Sequence, residues 1–353
     1  MFAQVHYPES LSGEELDEYL FKGWFRNGQR IFTTNFLNFD QKIYSAVWLR
    51  IHLQSIKSIH ALDKLAKRNS RFKITIQPAS ITPEKEALFE QYKTGVDFTA
   101  SQSLHTLLFG DSTVDIYNTL ELLIHDGNKL IGVGYFDTGK DCAAGITSFY
   151  DHAYKKNSLG KYIIMQKIKY CIDQQYSYFY PGYFVPNYPA FDYKLSIGTE
   201  TLEYLSLSKN TWVSIQAFVT NEDPFQVMLK KLKEFQSVCA NYGIEQQIYQ
   251  YSFFEANIIP SLRGLHLFDF PVFVYLFSEQ EDVVNPMVVF DVVNQCYHLI
   301  ECRSIWKADE SIQEEGFYSS HLLKMEKHIC SALTATEMST IIMRSIEESS
   351  TFR

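Results

Sequence analysis

The order of short segments between residues 120 and 185 restricts the fold more than any other feature of this chain. Residues 120–124, 130–136 and 143–149 are apolar, β-rich runs separated by turn signals at Asp126-Gly127-Asn128 and Asp137-Thr138-Gly139-Lys140. Runs this close together pair as an antiparallel meander. A loop over 151–157 follows, and Ser158-Leu159-Gly160 then opens a helix reaching about Gln175. Leu159, Ile163, Ile164, Ile168, Cys171 and Ile172 form its apolar stripe. Residues 176–185 return as a strand.

This sequence of elements has a chemical consequence. The unpaired N–H groups and positive dipole end of a helix starting at Ser158 favour phosphate or carbonyl oxygens. Gly160 lets a ligand approach the backbone closely. Ser158 as an ordinary N-cap and Gly160 as a loop residue account for the same letters, so both readings stand on sequence alone.

The flanking regions carry their own signals. Ser12-Gly13-Glu14-Glu15 is a capping box leading a helix that ends near Gly23. Residues 43–53 and 71–77 read as strands, 57–69 as polar helix or loop, and Thr82-Pro83-Glu84 as a helix start with proline at the first helical position. A new unit begins near Ser208. Its expected strands are 212–219, 272–277, 287–293 and 297–302, with helices from Asp223-Pro224 to Gly243 and from 320 to about 348. The predicted division is 1–75, 76–207 and 208–353, the last an α/β unit that repeats the topology of the 120–185 stretch in one reading. With 353 residues, two or three domains are expected.

Composition excludes several classes. The 46% hydrophobic content, with 23 Tyr and 27 Phe, rules out a disordered chain. The first residues lack the pattern of a secretory leader, and no run approaches the roughly 18 apolar residues of a membrane span. A cytoplasmic protein without membrane contact is expected. The six cysteines form no C-x-x-C pair, and Cys296, His298 and Cys302 lie in a segment apolar enough to read as strand rather than a metal site. The net charge of −9 argues against a chain that coats nucleic acid over its whole surface. Two local basic windows remain. One holds Lys57, Lys64, Lys67, Arg68, Arg71 and Lys73; the other holds Lys155, Lys156, Lys161, Lys167 and Lys169 without an acid in residues 152–172. Either one alone also fits a solvated helix face.

A meander feeding a glycine-bearing loop, a helix and a further strand resembles the build of GCN5-related acyltransferases. The expected fold class is α+β: a mixed, mostly antiparallel sheet flanked by helices, with an additional C-terminal α/β unit. Particular residues go further. Phe149-Tyr150-Asp151, Ser158-Leu159-Gly160, Gly182-Tyr183 and Tyr193-Lys194 occur in the order and spacing typical of arginyl- and leucyl-tRNA–protein transferases. Arg68-Asn69, the segment 81–92, and Gly23-Trp24-Phe25-Arg26 leading to Gly28-Gln29-Arg30 also resemble that family. The resemblance covers roughly residues 10–205.

It implies transfer of an amino acid, arginine or leucine, from aminoacyl-tRNA to the N-terminal amine of an acceptor protein, in protein degradation. Lys155, Lys156, Ser158, Leu159, Gly160, Lys161, Arg68 and Lys194 become candidates for holding the donor tRNA. Tyr183, Tyr193 and Asp151 become candidates for proton movement or amine binding, beside bland readings as packing aromatics and a turn cap. The family's cysteine cluster after the Arg/Gly segment is absent here, where the chain reads IFTTNFLNFDQKIYSAVWL. Neither zinc nor an iron–sulfur cluster is therefore expected, and aminoacyl-tRNA is a co-substrate rather than a cofactor. The missing cysteines leave an alternative open: an acyltransferase-fold protein using another donor, or a non-catalytic module that binds N-termini or a partner.

Overall fold

The computed structural model describes residues 1–39, 41–56, 60–96, 100–198, 200–244, 246–276, 284–308 and 318–351. The chain begins with β1 (Ala3–His6), α1 (Gly13–Phe21), β2 (Phe25–Asn27), β3 (Arg30–Thr34), β4 (Phe36–Phe39), β5 (Lys42–Ser45), β6 (Val47–His52) and α2 (His60–Arg68). The middle comprises β7 (Lys73–Pro78), α3 (Pro83–Lys93), α4 (Leu104–Phe109), β8 (Thr119–Asp126), β9 (Lys129–Thr138), β10 (Cys142–Tyr150), α5 (Leu159–Asp173), β11 (Tyr178–Phe184), β12 (Leu202–Ser206) and β13 (Thr211–Ser214). The last part holds α6 (Pro224–Ala240), β14 (Ile248–Tyr251), β15 (Val272–Tyr275), β16 (Val284–Asp291), β17 (Cys296–Lys307), β18 (Tyr318–Ser319), β19 (His321–Ala332) and α7 (Ala335–Thr351).

An eight-stranded sheet in the order β13-β12-β6-β11-β10-β9-β8-β7 forms the centre. The β7–β10 meander is antiparallel throughout, and its last strand runs parallel to β11 after the α5 crossover. This is the expected mixed, mostly antiparallel sheet. Alternation along β9 sends Val133 and Tyr135 towards α3 and α4 on one face, and Phe136 towards α5 on the other. Gly134 allows the close approach of α5, since a Cβ there would lie 2.3 Å from Ile163 Cγ2. On the face opposite α5, α1 and the small sheet β1-β3-β2 cover β6 and β11, with Phe25 stacked on Trp48 at 4.1 Å.

The parallel contact is short. Cys142–Ala144 pair with Tyr178–Tyr180, and the ladder then stops. β10 shifts register between Gly145 and Thr147, and β11 shifts between Phe179 and Gly182 where it pairs with β6. A bulge bends its strand, so the two strands part beyond Ala144. The backbone groups of residues 145–148 that point towards β11 have no ladder partner there.

The second sheet has the order β18-β14-β15-β16-β17-β19, with α6 and α7 packed on it. Among the described residues no α-helix connects two of its strands; α6 precedes and α7 follows them, and the β14–β15 connection carries only short 3-10 turns between antiparallel strands. It therefore lacks the strand–helix–parallel-strand unit on which a repeat of the acyltransferase topology would rest. The expected boundaries at 75/76 and 207/208 both cut the eight-stranded sheet, because β6 lies between β12 and β11, and β13 pairs with β12.

The two sheets share a core. Phe2, Phe36 and Ile43 join Phe225, Met228 and Phe254 in one buried cluster. The Phe2 and Ala3 amides donate to Asp269, and Ser45 donates to Asp223, the N-cap of α6. The stretch that lacks the family's cysteines is thus held by a phenylalanine-rich apolar contact with the second unit.

Several expectations need correction. The helix predicted over 320–348 is β19 followed by α7. Leu322, Met325, Ile329 and Leu333 imitate a helical stripe, but the last three are exposed and β19 pairs with β17 along its length. The strand expected over 212–219 ends at Ser214 and continues as a 3-10 turn. The single strand over 43–53 is β5 and β6, separated at Ala46, whose amide donates to Asn35. Phe277, the expected end of β15, lies outside the described residues.

Candidate active site

The amino end of α5 is open. Ser158 adopts a left-handed conformation (φ 54°, ψ 44°), and no side chain caps the helix. Its hydroxyl instead accepts from Arg68 Nη1 at 3.4 Å, and the same nitrogen donates to Lys156 O at 3.3 Å. Asn69 Nδ2 donates to Asn157 O, and Asn157 Nδ2 donates to Asn69 Oδ1. The C-terminal end of α2 is therefore clamped onto the loop that starts α5, bringing the two basic windows together. Arg68, Lys155, Lys156 and Lys161 are exposed around this end. Lys57 lies outside the described residues.

Lys167 was expected among these solvated lysines and is not one of them. It is 1% exposed, and its ammonium donates to the Tyr135 and Thr147 carbonyls at 2.8 Å and to Ser148 Oγ at 3.2 Å. Burial lowers its pKa to about 7. It fills the inner side of the β10 bulge, where strand pairing leaves carbonyls without partners.

A cavity of about 540 Å³ opens where β10 and β11 part. Gly160, Lys161, Ile164 and Lys167 of α5 form one wall, Phe89 and Tyr92 of α3 another, and Phe179, Tyr193, Lys194 and Ile197 a third. Leu159 itself is buried in the core beneath the helix end. A second cavity, about 790 Å³, lies under the small N-terminal sheet and is lined by Tyr7, Arg26, Arg30, Trp48, Asp137 and Tyr183, among others. Gly145, Ile146, Pro181 and Lys194 belong to both walls, so the two spaces meet at the parted strands.

Lys194 stands at this junction. Its Nζ donates to the Tyr183 carbonyl at 2.6 Å and lies 5.2 Å and 5.1 Å from the ring centroids of Tyr183 and Phe191. Burial of the ammonium lowers its pKa to about 7. Its neighbours offer aromatic faces and a carbonyl but no carboxylate, so nothing restores the charged form.

The other candidates divide. Tyr193, 51% exposed, faces the first cavity and Tyr183 the second, where burial pushes the Tyr183 phenol up to about 12. Near neutral pH each offers a hydroxyl able to donate or accept a hydrogen bond. Asp151 lines neither cavity. It is 2% exposed, bonded to Lys129 Nζ at 2.6 Å, Ala153 N at 2.9 Å and Gln91 Nε2 at 3.3 Å. Burial opposes its ionisation, but the Lys129 ion pair and the Ala153 amide hold its carboxyl below the usual range. It is the N-cap of the turn over 152–157, the second of the two readings its sequence position allowed. Lys167 and Arg26, named in a basic window and in the Gly23–Arg26 motif but not among the site candidates, also reach the cavities. Lys167 falls at i+3 from Ile164 within the apolar stripe, which is the signal that places it inward.

Among the described residues no group of three or more His, Cys, Asp or Glu side chains is arranged to hold a metal ion. Cys296 and His298 lie on β17, as the strand reading expected, with Cys302 buried farther along it.

Residues 84–203, which run from α3 to β12 and include both walls of the parted strands, match the family model "Arginine-tRNA-protein transferase, C terminus". This stretch, about a third of the chain, is thus similar to the C-terminal part of the arginine-tRNA–protein transferases. Among curated relatives, an aspartate/glutamate leucyltransferase of Leptospira interrogans is 28% identical over 225 residues, spanning 61% of this chain and 86% of that protein. The protein of the same description from Helicobacter hepaticus is 26% identical over 186 residues, 49% of this chain and 72% of its own length. Among solved structures, the C-terminal domain of a putative lysylphosphatidylglycerol synthetase from Agrobacterium fabrum has a TM-score of 0.32 at 10% identity, covering 40% of this chain and 47% of that one. A GCN5-related N-acetyltransferase from Anabaena variabilis has a TM-score of 0.27 at 11% identity, covering 77% of this chain and 55% of that one. No helix among the described residues is long and apolar enough to cross a membrane.

Proposed function

We propose that this protein acts as an aminoacyl-tRNA–protein transferase that moves leucine from leucyl-tRNA to the N-terminal amine of an acceptor protein across the parted β10 and β11 strands. One observation carries the reading: two cavities meet at Gly145, Ile146, Pro181 and Lys194, and the first is walled by the uncapped, lysine-flanked start of α5. The donor's anionic end is held at α5, where helix N–H groups, Arg68, Lys155, Lys156 and Lys161 favour phosphate. The acceptor amine enters through the second cavity.

The first cavity supports leucine over arginine. Phe89, Leu107, Ile146, Ile164, Phe179 and Ile197 line it together with three lysines, and no carboxylate is among its lining residues. A guanidinium there would find no carboxylate partner, at a cost of several kcal/mol. An isobutyl group would meet apolar walls.

In the reaction, the neutral acceptor amine attacks the ester carbonyl carbon, and a C–N bond forms as the carbonyl becomes an oxyanion. The unpaired backbone N–H groups of the β10 bulge stabilise that oxyanion. Neutral Lys194 takes a proton from the new ammonium. The tetrahedral centre then collapses, the bond to the tRNA 3′ oxygen breaks, and the proton passes to that oxygen. No covalent enzyme intermediate is required; holding both reactants across the opening supplies on the order of 7–11 kcal/mol of the barrier reduction.

The test is direct. The protein is incubated with radiolabelled Leu-tRNA or Arg-tRNA and peptides beginning with Asp, Glu, Lys or Arg. Transfer from Leu-tRNA and not Arg-tRNA is expected; transfer from Arg-tRNA alone would overturn the leucine assignment, and absence of transfer in every pairing would overturn the reading.

A further inference from the structure

A third cavity, about 360 Å³, lies where the two units meet and is walled by both. On the side of the central sheet its wall includes Asn35, Trp48, Tyr204 and Ser206. On the other side stand Lys230 and Lys231 of α6 and Gln295 of the β16–β17 turn. It shares no lining residue with the first cavity, and the reaction above uses none of these groups. Its volume falls in the range of small-molecule sites, about 300–1,000 Å³. A gap left by imperfect packing between two units would be lined by apolar atoms and stay empty. This one is lined differently.

Asn35 is 9% exposed, and its backbone groups are engaged: its N–H donates to the Phe2 carbonyl and its C=O accepts from the Ala46 amide. Its carboxamide has no hydrogen-bond partner among the described residues, and it lines the cavity. A buried amide left unpaired is destabilising, so a ligand that satisfies it accounts for its place in this wall. Trp48 is 2% exposed and its Nε1 donates to the Thr34 carbonyl at 3.0 Å, which leaves ring surface for the cavity. Tyr204 and Phe218, an edge-on pair at 5.2 Å, add further aromatic lining. The charges lie outside. Lys209 and Lys230 are exposed at the mouth, and neither pairs with a carboxylate among the described residues, whereas Lys231 holds Glu234 at 2.8 Å. Glu222 is the one acid among the described lining residues, so the mouth is positive in a chain whose net charge is −9.

We propose that this junction cavity binds a nucleoside monophosphate, its base hydrogen-bonded to Asn35 against the aromatic wall and its phosphate held by Lys209 and Lys230. A carboxamide offers a donor and an acceptor side by side, which suits the paired acceptor and donor on a base edge. Aromatic side chains suit the base's π surface. Two ammonium groups without carboxylate partners suit a phosphate, and Glu222 is an acceptor for ribose hydroxyls. A bare anion would leave the amide and the rings unused. Trp48 also lines the second cavity, so the bound base shares a wall with the acceptor's space. The site stands independently of the transfer reaction.

Titration calorimetry of the full chain with AMP and GMP tests this, with adenosine, guanosine and inorganic phosphate as comparators. Saturable binding of at least one nucleotide is expected, with its nucleoside and phosphate each weaker by about tenfold or more. Lys209→Met combined with Lys230→Met alters two exposed side chains, which spares the fold, and should weaken that nucleotide by about tenfold or more. Asn35→Leu replaces an amide that has no protein partner. It should weaken the nucleotide as well, without lowering stability in urea titrations. Lys161→Met, at the first cavity, should leave the binding unchanged. Absence of saturable binding at millimolar nucleotide would overturn the inference. So would phosphate binding as tightly as the nucleotide, which would leave only an anion contact. Binding that survives both junction variants but is lost in Lys161→Met would place the nucleotide at the α5 end and overturn the inference too. Each outcome reads the same whether or not transfer occurs.

Discussion

Replacement of Gly160 separates donor binding from stability more cleanly than any other change. Gly160 is the second residue of α5 and lines the first cavity. A Cβ built there lies 3.1 Å from Tyr150 Cε1 and 3.7 Å from Cδ1. Tyr150 is half-buried and borders the same space, so its ring can yield the few tenths of an ångström required. Glycine-to-alanine in a helix gains up to about 1 kcal/mol in propensity, which offsets that shift. Gly160→Ala should therefore change unfolding free energy by no more than about 1 kcal/mol in urea titrations. Function should respond differently. The new methyl stands where a donor oxygen must reach the helix N–H groups, and losing one hydrogen bond to a charged group costs about 1.5–3 kcal/mol, or roughly 10- to 100-fold in transfer. Gly160→Val should abolish detectable transfer. The assay is single-turnover transfer from Leu-tRNA to an Asp-initiated peptide, run beside the urea titration. An alanine variant with wild-type rate and affinity would refute the placement of the donor at the α5 end.

Three further outcomes are expected. Lys194, its pKa lowered to about 7 by burial, must be neutral to accept a proton, so transfer should fall as pH drops through 7. The acceptor amine also titrates, near about 8. The log-rate slope below pH 6.5, a limit set about half a unit under the lysine's pKa, should therefore approach two for wild type and one for Lys194→Met; equal slopes would contradict the role. Lys156→Ala with Lys161→Ala should weaken tRNA binding and reduce its log–log salt slope by about one to two units in titrations, and an unchanged slope would exclude them from the contact. Phe36 is fully buried and packs edge-on against Phe2, Phe225 and Phe254 at centroid distances of 5.2, 6.5 and 6.1 Å. Phe36→Ala should cost about 3–5 kcal/mol by chemical denaturation; a loss below about 1 kcal/mol would show that the two units do not depend on that contact.

What the sequence disclosed follows from how local each signal is. The meander, α5, α3 and α6 were readable because turns and caps announce them: Thr82 accepts from Lys85 N, and Asp223 from Phe225 N and Gln226 N. The Ser12–Glu15 capping box forms as its spacing predicts. The small sheet of β1, β2 and β3 was not readable, since strands of three to five residues owe their existence to Trp48 and Phe25 rather than to their own pattern. β19 was misread for a similar reason: it is held by pairing with β17, not by burial of its own stripe. In the site, the motif residues Gly160, Lys161, Tyr193 and Lys194 do come together. Asp151 belonged to the same motif but is consumed by Lys129. The third cavity joins Asn35 to Lys230 and Gln295, residues far apart in the chain, which no local pattern encodes.

The most direct test is a structure of the protein with a hydrolysis-resistant 3′-leucylamido adenosine carrying a 5′ phosphate. The account requires the leucyl side chain against Ile164 and Phe179, the phosphate at the uncapped turn before Gly160, and the acyl carbon facing Lys194. An analogue bound outside the parted strands, or strands that close on that space instead of admitting it, would contradict the account.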